Sequence, residues 1–332
     1  MPTIYFIINQ PGNHKSIIKN GNGASEVLFY LTAKSLSKHF NVIVYNRDTP
    51  CKIDEVEYRF LPDNMNPDIG NNSVVIIQRH FNILIDLHKI NPSNKYVLWS
   101  HDYLEKIFNH LSGNYNASAI NHYFTTNNIQ IVSVSHFHKS NILSRLPNVN
   151  VTPIYNSLFP EYLIKQNNIN YDKNTIIFAS NWAKGLDKIL NIGNQYYKLN
   201  KNFKLILIKP SYCKWEPDLN KYPFIEKKGC IENKEEYCKL IQSCLCVFST
   251  SYPETFGCVF AEALHLGVPV IGDNSVQAGF HEIIPQELMC NFNNPMEVIN
   301  KILKLRTNRP NVTLDSKFYS ESVINEWVKL LE

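Results

Sequence analysis

The chain has 332 residues, of which 44% are hydrophobic and 19% charged, with 33 Lys and Arg against 29 Asp and Glu for a net charge of +4. That length accommodates two domains of ordinary size, each with its own core. The slight, dispersed positive charge excludes the basic footprint of a nucleic-acid binder, and no window approaches the roughly 20 uninterrupted apolar residues of a membrane span. Peripheral contact with an anionic membrane surface is permitted without being required.

Met1 to Asn9 lacks a charged leader and a small-residue cleavage site, and its apolar run predicts a first strand rather than a signal peptide. Eight cysteines include no C-x-x-C pair, which points to a reducing, cytoplasmic setting. Strands are expected at Ile4 to Ile8, Val42 to Tyr45, Val56 to Phe60, Val74 to Ile77, Tyr96 to Trp99 and Ile129 to Val134, separated by helical or loop segments. That alternation predicts a parallel sheet with crossover helices. The polar stretch from Asn9 to Asn22 carries Gly12 and Gly21 and runs through Gly23 into an amphipathic helix with Val27, Leu28, Leu31 and Leu36 inward. Glycines before a helix start can cradle a phosphate, or they can simply turn the chain. Trp99-Ser100-His101-Asp102 follows a strand, so His101 falls on the ligand-facing edge, where it either serves a bound hydroxyl or acts as an acid or base; otherwise it is a bystander beside a helix cap. His136-Phe137-His138 sits behind a helix-capping Ser135 and is taken as structural.

Pro160 and an Asn-rich tract from Ser157 to Asn170 interrupt the pattern, and the first domain is expected to end there: residues 1–157, then 158–310, then a carboxyl-terminal helix within 311–332. The second series predicts a strand at Thr175 to Ser180, the loop Asn181-Trp182-Ala183-Lys184-Gly185, a helix at Leu186 to Leu199, strands at Lys204 to Ile208 and Gly229 to Ile231, and a helix at Glu232 to Ser243. The buried-strand run Cys244 to Ser249 leads to Ser251-Tyr252-Pro253-Glu254-Thr255-Phe256-Gly257-Cys258-Val259-Phe260-Ala261-Glu262-Ala263-Leu264-His265, a loop and then a helix with Val259, Phe260, Ala263 and Leu264 inward. Gly267 and Pro269 stop that helix before a strand at Val268 to Gly272. Cys244 and Cys246 alternate on their strand and are expected as small core residues rather than a metal pair.

The free N–H groups of Gly257, Cys258 and Val259 then open at the carboxyl end of a sheet, where α/β folds bind ligands and a helix start favours phosphate. Glu254 and Glu262 bracket that anion site. Carboxylates beside a phosphate suit neutral hydroxyls as partners, and a sugar nucleotide carries both groups. Taken alone, the two glutamates read rather as a solvated loop residue and a helix-surface residue, and Lys184-Gly185 taken alone reads as a surface turn.

The composite string, with Ser-x-x-Glu, Phe-Gly, Glu-Ala and the closing Gly-x-Pro-Val, resembles the E-x7-E signature of the GT4-type retaining glycosyltransferases. Gly23-Ala24-Ser25-Glu26 is similar to that family's Gly-Gly-x-Glu with Ala24 for the second glycine. Lys184-Gly185 resembles its Lys-Gly element with Asn181 in place of an arginine, and Gly279-Phe280-His281-Glu282 resembles its Gly-x-x-Glu turn. The resemblance implies a GT-B architecture of two Rossmann-like domains facing across a cleft, the second binding a UDP- or GDP-linked sugar and the first binding the acceptor. It implies Glu262 on the ribose hydroxyls, Glu254 near the donor sugar and His101 near the transferred sugar. Amides of Thr255, Phe256, Gly257, Cys258 and Val259 would lie on the sugar and diphosphate, with Lys184 on the leaving group, Ile231 by the base and Gly23 also in donor binding. The missing arginine leaves one cation to be supplied from elsewhere, with Lys209 and Lys214 as the candidates. No metal is expected, since the chain has no Asp-x-Asp and the leaving phosphate itself takes the acceptor proton in such enzymes. The expected activity is transfer to a hydroxyl of a glycan, lipid-linked or small-molecule acceptor; the alternative is a catalytically inactive sugar-nucleotide-binding or scaffold protein.

Overall fold

The structure is a computed structural model and describes residues 2–17, 23–104, 116–167, 169–209, 213 and 217–332. Gly21, part of the expected glycine loop, and Lys214 lie outside the described residues. The chain divides into two compact units, Met1–Ser157 with Glu321–Glu332, and Leu158–Ser320.

The first unit is built on an eight-stranded sheet. In chain order its strands are β1 (Thr3–Ile7), β2 (Asn41–Asn46), β3 (Cys51–Ile53), β4 (Val56–Phe60), β5 (Val74–Gln78), β6 (Lys95–Trp99), β7 (Gln130–Ser133) and β8 (Asn150–Pro153); across the sheet they run β3-β4-β2-β1-β5-β6-β7-β8. Each pair is parallel except β3 with β4. The apolar runs IYFI, VIVY and VVII are buried almost throughout, because helices cover both faces of a parallel sheet. β3 escaped the sequence reading: three residues, none of them buried, carry no periodicity to recognise.

The second unit carries β9 (Asp172–Phe178), β10 (Lys204–Ile208), β11 (Ile225–Lys228), β12 (Cys244–Ser249), β13 (Val270–Asp273) and β14 (Met289–Cys290), ordered β11-β10-β9-β12-β13-β14 and parallel throughout. The strand expected at Gly229 to Ile231 is corrected to β11. The ladder with β10 closes where Lys209 N–H donates to the Lys228 carbonyl, so Gly229, Cys230 and Ile231 run on as loop beyond the carboxyl end. Four edge residues, IEKK, hide the strand behind two lysines; the buried Phe224, packed on Phe203 and Tyr197, fixes where it starts. Val259 and Val27, expected inward, are only half-buried. Cys244 and Cys246 are both buried in β12, with a register irregularity against β9 between them.

The carboxyl-terminal helix begins at Ser320 after a short 3-10 turn at Ser316–Phe318. Its Trp327 is fully buried edge-on against Trp99 of β6, and the Leu330 carbonyl accepts from Lys95 Nζ. Among the described residues no helix is long and apolar enough to cross a membrane.

Candidate functional site

In each sheet the strand order reverses once, and the crevice beyond the carboxyl ends at that point is where open α/β folds bind ligands. In the second unit β9 has β10 on one side and β12 on the other, so the crevice is bounded by the loops that follow β9 and β12. These are the loops of Lys184 and of Glu254. They meet through Gly185 and Thr250: the Thr250 hydroxyl donates to the Gly185 carbonyl at 3.1 Å. Gly185 has φ +96°, and a methyl there would stand 2.7 Å from that hydroxyl, so both backbone conformation and space call for glycine.

Lys184 Nζ is 2.9 Å from Glu254 Oε2, and the other carboxylate oxygen accepts weakly from the Phe256 amide at 3.4 Å. Both side chains are partly exposed, 27% and 19%. The chain then turns at Gly257, φ +108°, where a Cβ would meet the Phe260 ring, and enters the Cys258–His265 helix. Thr255 and Phe256 are buried, whereas Cys258 and Val259 at the helix start remain half-exposed. Glu262, one turn further, has its Oε2 2.6 Å from the Tyr237 hydroxyl, which donates to it, and its Oε1 3.8 Å from Lys234 Nζ. Tyr237 and Lys234 belong to the helix Lys234–Gln242 and were not singled out in the sequence; 25 residues separate Tyr237 from Glu262, and no local pattern marks the pair. Among the described residues, chain neighbours aside, no atom lies within 4 Å of where a Cβ on Gly229 would stand, and Ile231 beside it is half-exposed.

Asn181, standing where the resemblance places an arginine, accepts from the Ala183 amide and from the Cys213 thiol. Lys209 Nζ lies 5.9 Å from the Trp182 ring centroid, a cation over an indole at the same sheet edge. Lys188, one turn after Lys184, is committed elsewhere: its Nζ is 3.0 Å from Asp273 Oδ2, and Asp273 is fully buried at the end of β13 and also accepts from Ser275 and the Phe292 amide. That pair ties the Leu186–Leu199 helix to β13.

In the first unit the reversal lies at β1, between β2 and β5. Gly23 is the N-cap of the Ala24–Leu36 helix, and the carboxylate of Glu26 folds back against it, taking the Ser25 hydroxyl at 2.9 Å. A Cβ at residue 23 would meet that carboxylate, the far end of a flexible side chain that can swing aside. A carboxylate already answers this helix dipole. Arg79 follows β5 in the left-handed region, φ +65°, and links Glu26 (Nη1 to Oε1, 3.0 Å) to Asp102 (Nε to Oδ2, 2.9 Å). His101 is buried between them, its Nε2 3.3 Å from the amide of Gln78 and its ring 4.8 Å from Trp99. Burial first, then the Arg79 guanidinium, holds its pKa well below the usual imidazole range. His101 is therefore neutral at physiological pH, suited to hydrogen bonding rather than to storing a proton. His138 is buried as well, pushed down to about 4 by burial; its Nδ1 accepts from the Val134 amide and its Nε2 donates to the Asp102 carbonyl, which anchors the loop that carries His101.

A sheet reversal in each of two parallel-sheet units, with the loops after β9 and β12 gathered at one crevice, is the architecture of the GT-B glycosyltransferases. Residues 161–320 match the family model of glycosyl transferases group 1. No curated protein matches the chain by sequence. Among solved structures, sucrose-phosphate synthase from Thermosynechococcus elongatus is similar with a TM-score of 0.74 at 12% identity, covering 99% of this chain and 98% of its own. Anabaena HepE in complex with UDP and glucose gives 0.70 at 15% identity over 100% and 99% of the two chains. A UDP-forming trehalose-phosphate synthase from Burkholderia xenovorans gives 0.66 at 8% identity over 93% and 92%. At these identities the likeness is one of fold.

Proposed function

We propose that the protein is a retaining glycosyltransferase that moves a sugar from a nucleoside diphosphate sugar, UDP-linked in the first instance, to a hydroxyl of a glycan, lipid-linked or small-molecule acceptor. The observation that carries this reading is the Lys184–Glu254 ion pair held beside the Gly257 helix start at the β9/β12 crevice. A cation and the helix-start backbone there would stabilise the departing diphosphate, while Glu254 faces neutral sugar hydroxyls and Glu262 the ribose. The HepE complex with UDP and glucose and the UDP-forming synthase support UDP as the leaving group.

Departure of the diphosphate and attack by the acceptor hydroxyl occur on one face of the sugar, the leaving phosphate oxygen taking the acceptor proton. No metal enters this scheme. His101 contributes a neutral hydrogen-bonding edge next to the transferred sugar. Its replacement by alanine is expected to lower turnover roughly tenfold, the upper end of what one neutral hydrogen bond is worth. Donor affinity stays unchanged; single-turnover kinetics with full activity would return His101 to a structural part.

The reading is tested by a thermal-shift panel of UDP, GDP, ADP and their sugar conjugates, with magnesium and with EDTA. A ligand that binds only the folded state at about 100 times its Kd adds about 2.7 kcal/mol of stability. The expected result is selective stabilisation by UDP and UDP-sugars that EDTA leaves intact. No shift with any nucleotide would defeat the donor-site assignment and with it the transferase.

A further inference from the structure

The second glutamate of the crevice is not a free side chain waiting for ligand. Tyr237 reaches it from a different element, the helix between β11 and β12, and donates a 2.6 Å hydrogen bond to Oε2. The tyrosine is 8% exposed and its hydroxyl is held at this point by the packing of its ring, not by reach. The helix start beneath it is fixed in turn, since the Asn233 side chain caps it by accepting from the Glu235 and Glu236 amides. Lys234 lies over the same ring at 5.0 Å with its ammonium 3.8 Å from Oε1, beyond hydrogen-bond distance.

A carboxylate has about four lone-pair directions, and the angle at which it meets a ligand is set by whatever occupies the rest. Here one direction on Oε2 is taken by a rigid donor. The plane of the carboxylate is thereby fixed, and the partly exposed Oε1 edge is left for a ligand. Tyr237 is a permanent donor in that role, because burial and the adjacent carboxylate both push its ionisation far above the physiological range.

We propose that Tyr237 is a positioning residue for Glu262, orienting the carboxylate so that the site selects a ribonucleotide over its 2′-deoxy counterpart. This rests on Glu262 serving the ribose of the donor. Tyr237 touches no reacting atom; it acts through the carboxylate it holds, and its loss would free that carboxylate to rotate and to be satisfied by water.

The test is calorimetric binding of UDP and 2′-deoxy-UDP to the full chain, wild type and Tyr237→Phe, with melting temperatures measured alongside. The wild type is expected to prefer UDP about tenfold, the worth of one hydrogen bond to a charged acceptor. In Tyr237→Phe the preference falls to about threefold or less, and affinity for 2′-deoxy-UDP is unchanged. A merely structural tyrosine would weaken both nucleotides equally and keep the ratio; an unaltered ratio overturns the proposal. Lys234→Met, at a partly exposed position, provides a second route: its ratio should match the wild type, and a collapse there would assign the orientation to the lysine instead. If the wild type binds UDP and 2′-deoxy-UDP equally, the ribose role of Glu262 fails and the positioning role with it. A wild type that discriminates while Tyr237→Phe does so equally removes only the positioning role.

Discussion

Replacing Lys184 by methionine is expected to weaken UDP binding about thirtyfold while leaving uridine binding within about twofold of the wild type. The arithmetic is that of a hydrogen bond to a charged group, about 1.5–3 kcal/mol, and one factor of ten for each 1.4 kcal/mol. The contrast between the two ligands isolates the diphosphate, the only part that a cation beside the helix start can serve. Methionine keeps most of the length and packing of the lysine stem, so the loss is one of charge rather than of volume. Without ligand, Lys184 is paired with Glu254 at 2.9 Å, so binding of a diphosphate must compete with that carboxylate. Glu254→Gln should therefore tighten UDP itself slightly and damage binding of a UDP-sugar. Calorimetry on the four ligand and variant combinations reads both effects. Equal losses for UDP and uridine in Lys184→Met would place the lysine away from the phosphates.

Gly279→Ala is expected to lower the melting temperature of the protein by about 5–10 °C, from a destabilisation of about 2–3 kcal/mol. It should abolish UDP binding at the same time. The Gly279 amide donates to the Glu254 carbonyl at 2.9 Å, and the two backbone segments approach so closely that a methyl on residue 279 would overlap the Thr255 carbonyl. Backbone cannot swing aside as a flexible side chain does. The loop of Glu254, Thr255 and Phe256 would have to move as a unit, carrying the Gly257 turn with it. Denaturation followed by circular dichroism, together with the nucleotide panel, separates the two consequences. A variant with wild-type stability would mean that the loop yields freely, and intact UDP binding in a destabilised variant would mean that the loop does not shape the site.

The elements of the second unit were legible because their signals are local. Cys244 to Ser249 is a buried apolar run, Gly257 and Gly267 bracket a helix, and both glycines have positive φ. β11 was misplaced by a few residues because an edge strand with two lysines shows neither alternation nor a continuous apolar run. Lys188 lacks a local signal in the same way: nothing in Leu186-Asp187-Lys188 announces that its charge is spent on a buried aspartate 85 residues away. Gly23 was legible as a helix start, while the Glu26 carboxylate folded back against it was not.

By itself the sequence determined the α/β class, the alternation of strand and helix through both halves, and the glycine turns, since each follows from side-chain periodicity and backbone preference within a few residues. Only the tertiary structure decided which loops become neighbours. Lys184 meets Glu254 across 70 residues, Tyr237 meets Glu262 across 25 and Arg79 meets Glu26 across 53. Those meetings depend on strand order: β12 lies against β9 rather than against β11, and β5 against β1 rather than against β4. Sheet order is set by how whole faces are buried against one another, a sum over many distant side chains that no short stretch of sequence contains.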